Sequence, residues 1–104
     1  MTPQRSRRKP APRSWSVYLI RCRDGALYAG ISTDVARRLQ QHRDGRGAKA
    51  LRRRGPLALV FQRQVGDRGQ ALRVELRIKR LTKAEKEQLV VTPAGVEMLM
   101  TAAQ

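Results

Sequence analysis

Five side chains in this chain carry functional groups suited to binding and breaking a phosphate ester. Tyr18 and Tyr28 have phenol groups that can hydrogen-bond a water molecule or a phosphate oxygen. Arg38 offers the planar guanidinium that matches phosphate oxygens, and His42 gains or loses a proton near neutral pH. Glu75 supplies a carboxylate that can hold a hard cation such as Mg²⁺.

Each of these residues also has an ordinary structural interpretation. Glu75 falls near the middle of the apolar arc of a predicted helix over 70–81, where a carboxylate is costly unless it is paired or binds a cation. A salt bridge to an arginine of the preceding long helix would satisfy it. Arg38 and His42 share one helix face and could both be surface residues. The two tyrosines could be ordinary strand aromatics.

The charge of the chain indicates a polyanionic partner. Lys and Arg number 23 against 8 Asp and Glu, for a formal net charge of +15, and most of the cations are arginines. Such a surplus is most often found in proteins that bind nucleic acid, with ribosome-associated or membrane-surface roles as alternatives. Residues 1–14 contain several cations, three prolines and no acid, and we interpret them as a disordered basic arm.

The composition excludes several other classes of protein. One Cys and one His cannot form a tetrahedral zinc site or a disulfide framework within one chain. The longest apolar run, 57–61, is far short of the roughly 20 residues that span a bilayer, so we expect no membrane segment. The beginning of the chain lacks the apolar stretch of a secretory signal, and we expect a cytoplasmic protein.

The order of predicted elements indicates an α+β domain with a small three-stranded antiparallel sheet flanked by helices. We expect one catalytic-type domain over 15–92 and a short C-terminal helix over 93–104. The predicted strands are 15–22, 27–32 and 57–65, and the predicted helices are 34–43, 70–81 and 82–91, with a short basic stretch over 48–54.

The length of the first hairpin loop decides where the two tyrosines point. A two-residue loop would pair Arg21 with Tyr28 and place Tyr18 on the opposite face of the sheet. A three-residue loop with Gly25 in the left-handed conformation shifts the register by one residue. Both tyrosines then share a face with Gly30, which would leave space for a phosphate. We predict an odd-numbered loop of this kind, or an equivalent bulge.

The segment 43–54 is strongly cationic and contains two glycines but no aromatic residue. We interpret it as a mobile surface that contacts the phosphate backbone, because stacking on single-stranded bases needs aromatic side chains. A solvated basic loop is the alternative. The predicted contact residues are Arg43, Arg46, Lys49, Arg52, Arg53 and Arg54, in addition to Gly30.

Two tripeptides and their spacing to later residues resemble a known family. Val17-Tyr18-Leu19 and Tyr28-Ala29-Gly30 are similar to the paired motifs of the GIY-YIG nuclease superfamily. Arg38 follows Tyr28 by ten positions and His42 follows it by fourteen, as in that family, and Glu75 lies in a downstream helix. The resemblance covers about 17–89 and is strongest to short stand-alone members.

The resemblance implies a divalent-metal-dependent endonuclease that hydrolyses phosphodiester bonds in DNA, in repair or recombination. It implies one Mg²⁺ or Mn²⁺ ion on Glu75, with Tyr18 as the general base. A phenol is a poor base at neutral pH, and we expect the arginine-rich surroundings to lower its pKa. Arg38 would clamp the phosphate oxygens, His42 would assist proton transfer, and Tyr28 would position the water or phosphate.

A non-catalytic module that binds DNA or RNA on the same scaffold is the second hypothesis. The small size favours it, and so does the lack of any Asn, which many family members carry near the end of the domain. Retention of the five side chains favours the nuclease, with DNA more expected than RNA. We expect a monomer or a weak dimer. The C-terminal apolar residues could either pair two copies or close the core: Val96, Met98, Leu99 and Met100.

Overall fold

The computed structural model describes residues 14–103 and contains a single three-stranded sheet in that range. The strand order is β2-β1-β3, and both pairs are antiparallel. The basic arm predicted for residues 1–14 falls, except for Ser14, outside the described residues. The predicted strands are confirmed to within one residue at each end. They are β1 (Trp15–Arg21), β2 (Leu27–Ser32) and β3 (Ala58–Gly66).

Side-chain caps determine where the helices begin. Asp34 caps α1 by accepting from the Arg37 amide, as its position in the sequence predicts. The second long helix begins two residues before the predicted start, because Asp67 is its N-cap and Gln70, the third residue of the helix, completes the capping box. The α-helices of residues 14–103 are α1 (Val35–Arg43), α2 (Arg68–Lys79), α3 (Lys83–Val91) and α4 (Val96–Ala103), and 3₁₀ turns form at Lys49–Leu51 and Pro93–Gly95.

The sheet separates two hydrophobic clusters. Val17 and Leu19 of β1 face a cluster that also contains buried residues of α2, α3 and α4. Tyr18 and Ile20, which alternate with them, face a second cluster with Val35 of α1 and residues that flank the basic stretch. The three layers are therefore α2–α4, the sheet, and α1 with the segment that follows it. This confirms the predicted α+β architecture.

The hairpin has the three-residue loop that places both tyrosines on one face. Tyr18 pairs with Gly30 and Ile20 pairs with Tyr28. The Cys22 amide donates to the Ala26 carbonyl at 2.8 Å, which closes the loop around residues 23–25. Gly25 lies in the left-handed region with a φ of 90°. The predicted register is confirmed.

The basic segment is anchored to the body of the domain, which contradicts the prediction of a mobile loop. Leu51 is only 2% exposed and packs in the cluster on the α1 side of the sheet. The Arg43 guanidinium donates to the Leu57 carbonyl at 3.1 Å. The Arg23 amide donates to the Arg54 carbonyl at 2.8 Å, so the segment is tied to the hairpin loop as well.

The C-terminal apolar residues mostly close the core. Val96 is fully buried among residues of the α2 side, and Leu99 and Met100 pack against the same cluster. Met98 is exposed.

Between residues 14 and 103, none of the helices is long and apolar enough to cross a membrane.

Truncation of Leu51 should show how much the anchor contributes to stability. We expect Leu51→Ala to lower the free energy of unfolding by about 2–5 kcal/mol, because it leaves a cavity under the basic segment. Leu76→Ala is the matched control, since Leu76 is 50% exposed, and it should cost less than about 1 kcal/mol. Urea titration of both variants measures the difference. Equal losses would show that Leu51 is not an anchor.

Candidate active site

The centre of the site is a hydrogen bond between the sheet and α1. The Tyr18 hydroxyl lies 2.9 Å from Nε2 of His42. Both side chains are only 2% exposed. Tyr28, half-buried on the same face of the sheet, places its ring edge-on to His42 with a centroid distance of 5.7 Å. The alternative that His42 is a surface residue is therefore wrong.

The backbone after α1 determines which nitrogen of His42 carries the proton. The Ala48 amide donates to Nδ1 at 3.2 Å, so Nδ1 is the acceptor and the neutral ring carries its hydrogen on Nε2. Nε2 then donates to the Tyr18 oxygen. Burial, and after it the charge of Arg38, lowers the pKa of His42 below its ordinary value of 6.5. His42 is thus a neutral donor at pH 7.

Two glycines allow this pair to form. A Cβ atom at Gly47 would lie 2.1 Å from Nδ1 of His42, and one at Gly30 would lie 2.4 Å from the Tyr18 hydroxyl oxygen. Neither position can hold a side chain without displacing the pair. Gly30 was expected to leave space for a phosphate, but the Tyr18 ring fills that space. Its role here is to admit Tyr18.

Burial raises the pKa of Tyr18 to about 12, and the nearby Tyr28 adds to the increase. A hydrogen-bonding contact with Arg38 and its positive charge act in the opposite direction, while the charge of Glu75 raises the pKa slightly further. The expectation that arginines would lower this pKa overall is wrong, because the loss of hydration outweighs the one guanidinium in contact. Tyr18 is a neutral phenol at pH 7.

Arg38 and Glu75 approach Tyr18 from different layers of the fold. Arg38 is a half-buried residue of α1, and its guanidinium donates to Oε1 of Gln41 at 3.0 Å. Glu75 belongs to α2 on the other side of the sheet, and its side chain is 12% exposed. Arg38 lowers the pKa of Tyr18 and Glu75 raises it, so both charges act on the same phenol.

Glu75 is the one side chain predicted to bind a metal ion. Its carboxylate lies 3.5 Å from Nζ of Lys79 on the same helix, in a contact longer than a good charged hydrogen bond. The ion pair of Glu75, expected with an arginine of α1, is formed with Lys79. Within residues 14–103, no group of three or more His, Cys, Asp or Glu side chains surrounds a metal position. A lone carboxylate suits Mg²⁺, which keeps most of its water ligands.

Comparison with known proteins identifies the family of the chain. The family described as the GIY-YIG catalytic domain matches residues 14–88. This chain belongs to the GIY-YIG family. It is 59% identical over 90 residues to a UPF0213 protein of Citrobacter koseri, covering 86% of this chain and 90% of that one. It is 58% identical to the UPF0213 protein YhbQ of Salmonella typhimurium, with the same coverage.

A solved structure shares the fold. The protein EF2693 from E. faecalis is 34% identical, with a TM-score of 0.56, over 81% of this chain and 90% of that chain. The domain therefore has the nuclease-type fold of the GIY-YIG family, whose substrates are nucleic acids.

The predicted phosphate contacts of this GIY-YIG domain divide into two groups. Arg46 pairs with Asp44 and Arg54 pairs with Asp24, each at 3.1 Å, while Arg43 donates to a backbone carbonyl. The second group is fully exposed, and within the described range no carboxylate lies within 4 Å of its members, which are Lys49, Arg52 and Arg53.

Three residues that shape the site were missed by the sequence analysis. Gln41 orients Arg38, Gly47 admits His42, and the Ala48 amide selects the tautomer of that histidine. Gly47, four residues after the end of α1, was a usable signal, since glycine often marks a close approach of the backbone. Its partner His42 was not predicted, because the geometry of the turn after α1 brings residue 47 back to the ring.

The state of His42 can be tested directly, because it is the only histidine in the chain. We expect an NMR titration to give a pKa below 6.5, with the hydrogen on Nε2. Below pH 6.5 the unfolded chain binds a proton that the folded chain does not, so stability should fall as the pH is lowered through this range. His42→Gln should reduce that dependence. A pKa above 6.5 would contradict the buried neutral ring.

Proposed function

We propose that this protein is a metal-dependent endonuclease that hydrolyses phosphodiester bonds in nucleic acid, with DNA as the favoured substrate. The observation that supports the proposal is the buried hydrogen bond between Tyr18 and His42. The charges of Arg38 on α1 and Glu75 on α2 both act on the phenol of Tyr18. A cytoplasmic role in DNA repair or recombination is part of the proposal.

Arg38 is the residue that would hold the scissile phosphate. Its guanidinium lies near enough to Tyr18 to lower the pKa of that phenol, and it donates to Gln41, so it presents a planar donor group near the proposed base. Charge that develops on the non-bridging oxygens during attack would be offset there. Tyr28, half-buried on the same face, would position the attacking water or the phosphate by hydrogen bonding.

Tyr18 would accept the proton of the attacking water as a phenolate. Its own proton leaves to solvent before the attack, because both ring nitrogens of His42 are already engaged: Nδ1 accepts from Ala48 and Nε2 donates to Tyr18. His42 would therefore act as a hydrogen-bond donor that stabilises the phenolate and holds its oxygen in place. It would not act as the acceptor of the tyrosine proton.

Glu75 is the residue that would hold the cation, either Mg²⁺ or Mn²⁺. Such an ion supplies positive charge that stabilises the leaving oxygen and the phosphoryl group. Lys79, which is about half exposed, can move away from the carboxylate without leaving a buried charge.

The exposed cations of the basic segment would contact the sugar-phosphate backbone. Lys49, Arg52 and Arg53 point to solvent and give affinity without base reading. DNA is favoured over single-stranded RNA because the segment has no aromatic side chain on which unpaired bases would stack.

A non-catalytic nucleic-acid-binding module is the second candidate, and one observation favours it. Tyr18 has a pKa of about 12, so the proposed base is protonated in the protein alone at neutral pH. A module that only binds would keep the same basic surface. It would show no cleavage of branched, single-stranded or duplex substrates with either metal ion.

Removal of the proposed cation ligand or the phosphate clamp should abolish cleavage. We expect Glu75→Gln and Arg38→Ala each to lower the rate of Mg²⁺-dependent DNA cleavage at least about 100-fold, because each removes charge from the transition state. Binding of DNA in the presence of chelator should change little in Glu75→Gln. Glu97→Gln is the control, since Glu97 pairs with Arg63 away from the site. Full activity of both site variants would refute the proposal.

The role of Tyr18 predicts a specific dependence on pH. We expect the cleavage rate to rise about tenfold per unit between pH 7 and pH 9, because the fraction of phenolate rises in that proportion well below a pKa of about 12. Tyr18→Phe keeps the buried ring and removes the hydroxyl, so it should lose both the rate and the slope. A Tyr18→Phe enzyme with the wild-type rate and slope would assign the base to another group.

A further inference from the structure

A groove on the exposed side of α1 has Arg38 among its lining residues. It has a volume of about 370 Å³, many times the roughly 30 Å³ that one water molecule occupies in the liquid. Its walls carry guanidinium and amide groups but no carboxylate or aromatic ring. The lining residues are Arg37, Arg38, Gln40, Gln41 and Arg46.

The polar groups of this groove are held in place by the protein itself. Gln40 donates to one oxygen of Asp44 at 3.0 Å, and Arg46 donates to the other oxygen at 3.1 Å. Gln41 accepts from Arg38 at 3.0 Å. Two small hydrogen-bond networks therefore restrict the polar side chains of the groove before any ligand binds, which lowers the entropy that binding costs.

Arg37 is the cation of the groove without such a tether. Its side chain is exposed, and within residues 14–103 no carboxylate lies within 4 Å of its guanidinium. It follows Arg38 directly in the chain, so the two guanidiniums leave α1 about 100° apart. The two side chains start in different directions, so each can contact a different phosphate of one strand.

We propose that this groove is a second phosphate subsite, which binds the phosphodiester next to the scissile one on the same nucleic acid strand. Arg37 is its principal ligand, with Arg46 opposite. The inference rests on the proposed function, because it takes Arg38 as the contact of the scissile phosphate. It adds the course of the strand, which runs along the exposed side of α1.

Short oligonucleotides test the subsite without any need for cleavage. In chelator and low salt, NMR titration should show that the wild type binds the trinucleotide TpTpT about three- to tenfold more tightly than the dinucleotide TpT, as expected for one further charged contact at an exposed site. Arg37→Ala should bind both alike. Ala is a good helix former, so this exposed substitution leaves α1 intact.

The control and the second measurement separate this inference from the nuclease proposal. Arg68→Ala removes an equal charge at the far end of β1, where Arg68 stacks on Trp15, and it should keep the preference for the trinucleotide. A methylphosphonate is a neutral replacement for one phosphate. At a single position in a DNA strand, it should lower cleavage of one adjacent bond by the wild type. In Arg37→Ala, which already lacks the contact, it should cause no additional loss.

The outcomes divide cleanly between the two proposals. If Arg37→Ala keeps the full preference for TpTpT, or if Arg68→Ala loses it equally, the subsite is refuted whatever the cleavage assay shows. If the preference depends on Arg37 but no substrate is cut with Mg²⁺ or Mn²⁺, the subsite is supported and the protein only binds nucleic acid.

Discussion

The hydrogen bond between the Tyr18 hydroxyl and His42 is the interaction on which the site depends, because it joins the central strand to α1 inside the protein. Its geometry is determined largely by backbone. Gly30 and Gly47 allow the two rings to approach, and the Ala48 amide decides that Nε2 of the histidine is the donor. The buried phenol of Tyr18 is thus positioned largely by two glycines, which have no side chain.

The groups that influence the pKa of Tyr18 lie on both sides of the sheet. Burial, Tyr28 and Glu75 all favour the neutral phenol, and Arg38 alone among these neighbours favours the phenolate. The resting site therefore holds its proton. Neutralising the charge of Glu75 removes one of the opposing influences, so the acid on α2 and the phenol on β1 act as coupled groups although they belong to different layers.

The sequence was sufficient for the strands, the helix order and the loop length that aligns Tyr18 with Gly30, because turn and capping residues act locally. The sequence did not predict features that depend on contacts between distant parts of the chain. The pKa of Tyr18 depends on how much water the fold removes, which no local pattern reports. The anchoring of the basic segment depends on Leu51, one apolar residue among cations. The match of residues 14–88 to the GIY-YIG domain carries no information about this anchoring or about the pKa of Tyr18.

The tethering of the basic segment at both of its ends has a consequence for the path of a bound duplex. The hairpin loop contacts this segment through Arg23 and Asp24, and the Gly25 carbonyl in turn accepts from Lys83 of α3. These contacts restrict how far the segment can change shape on binding. If the partner is a duplex, steps that bend or unstack easily would be bound in preference to rigid ones.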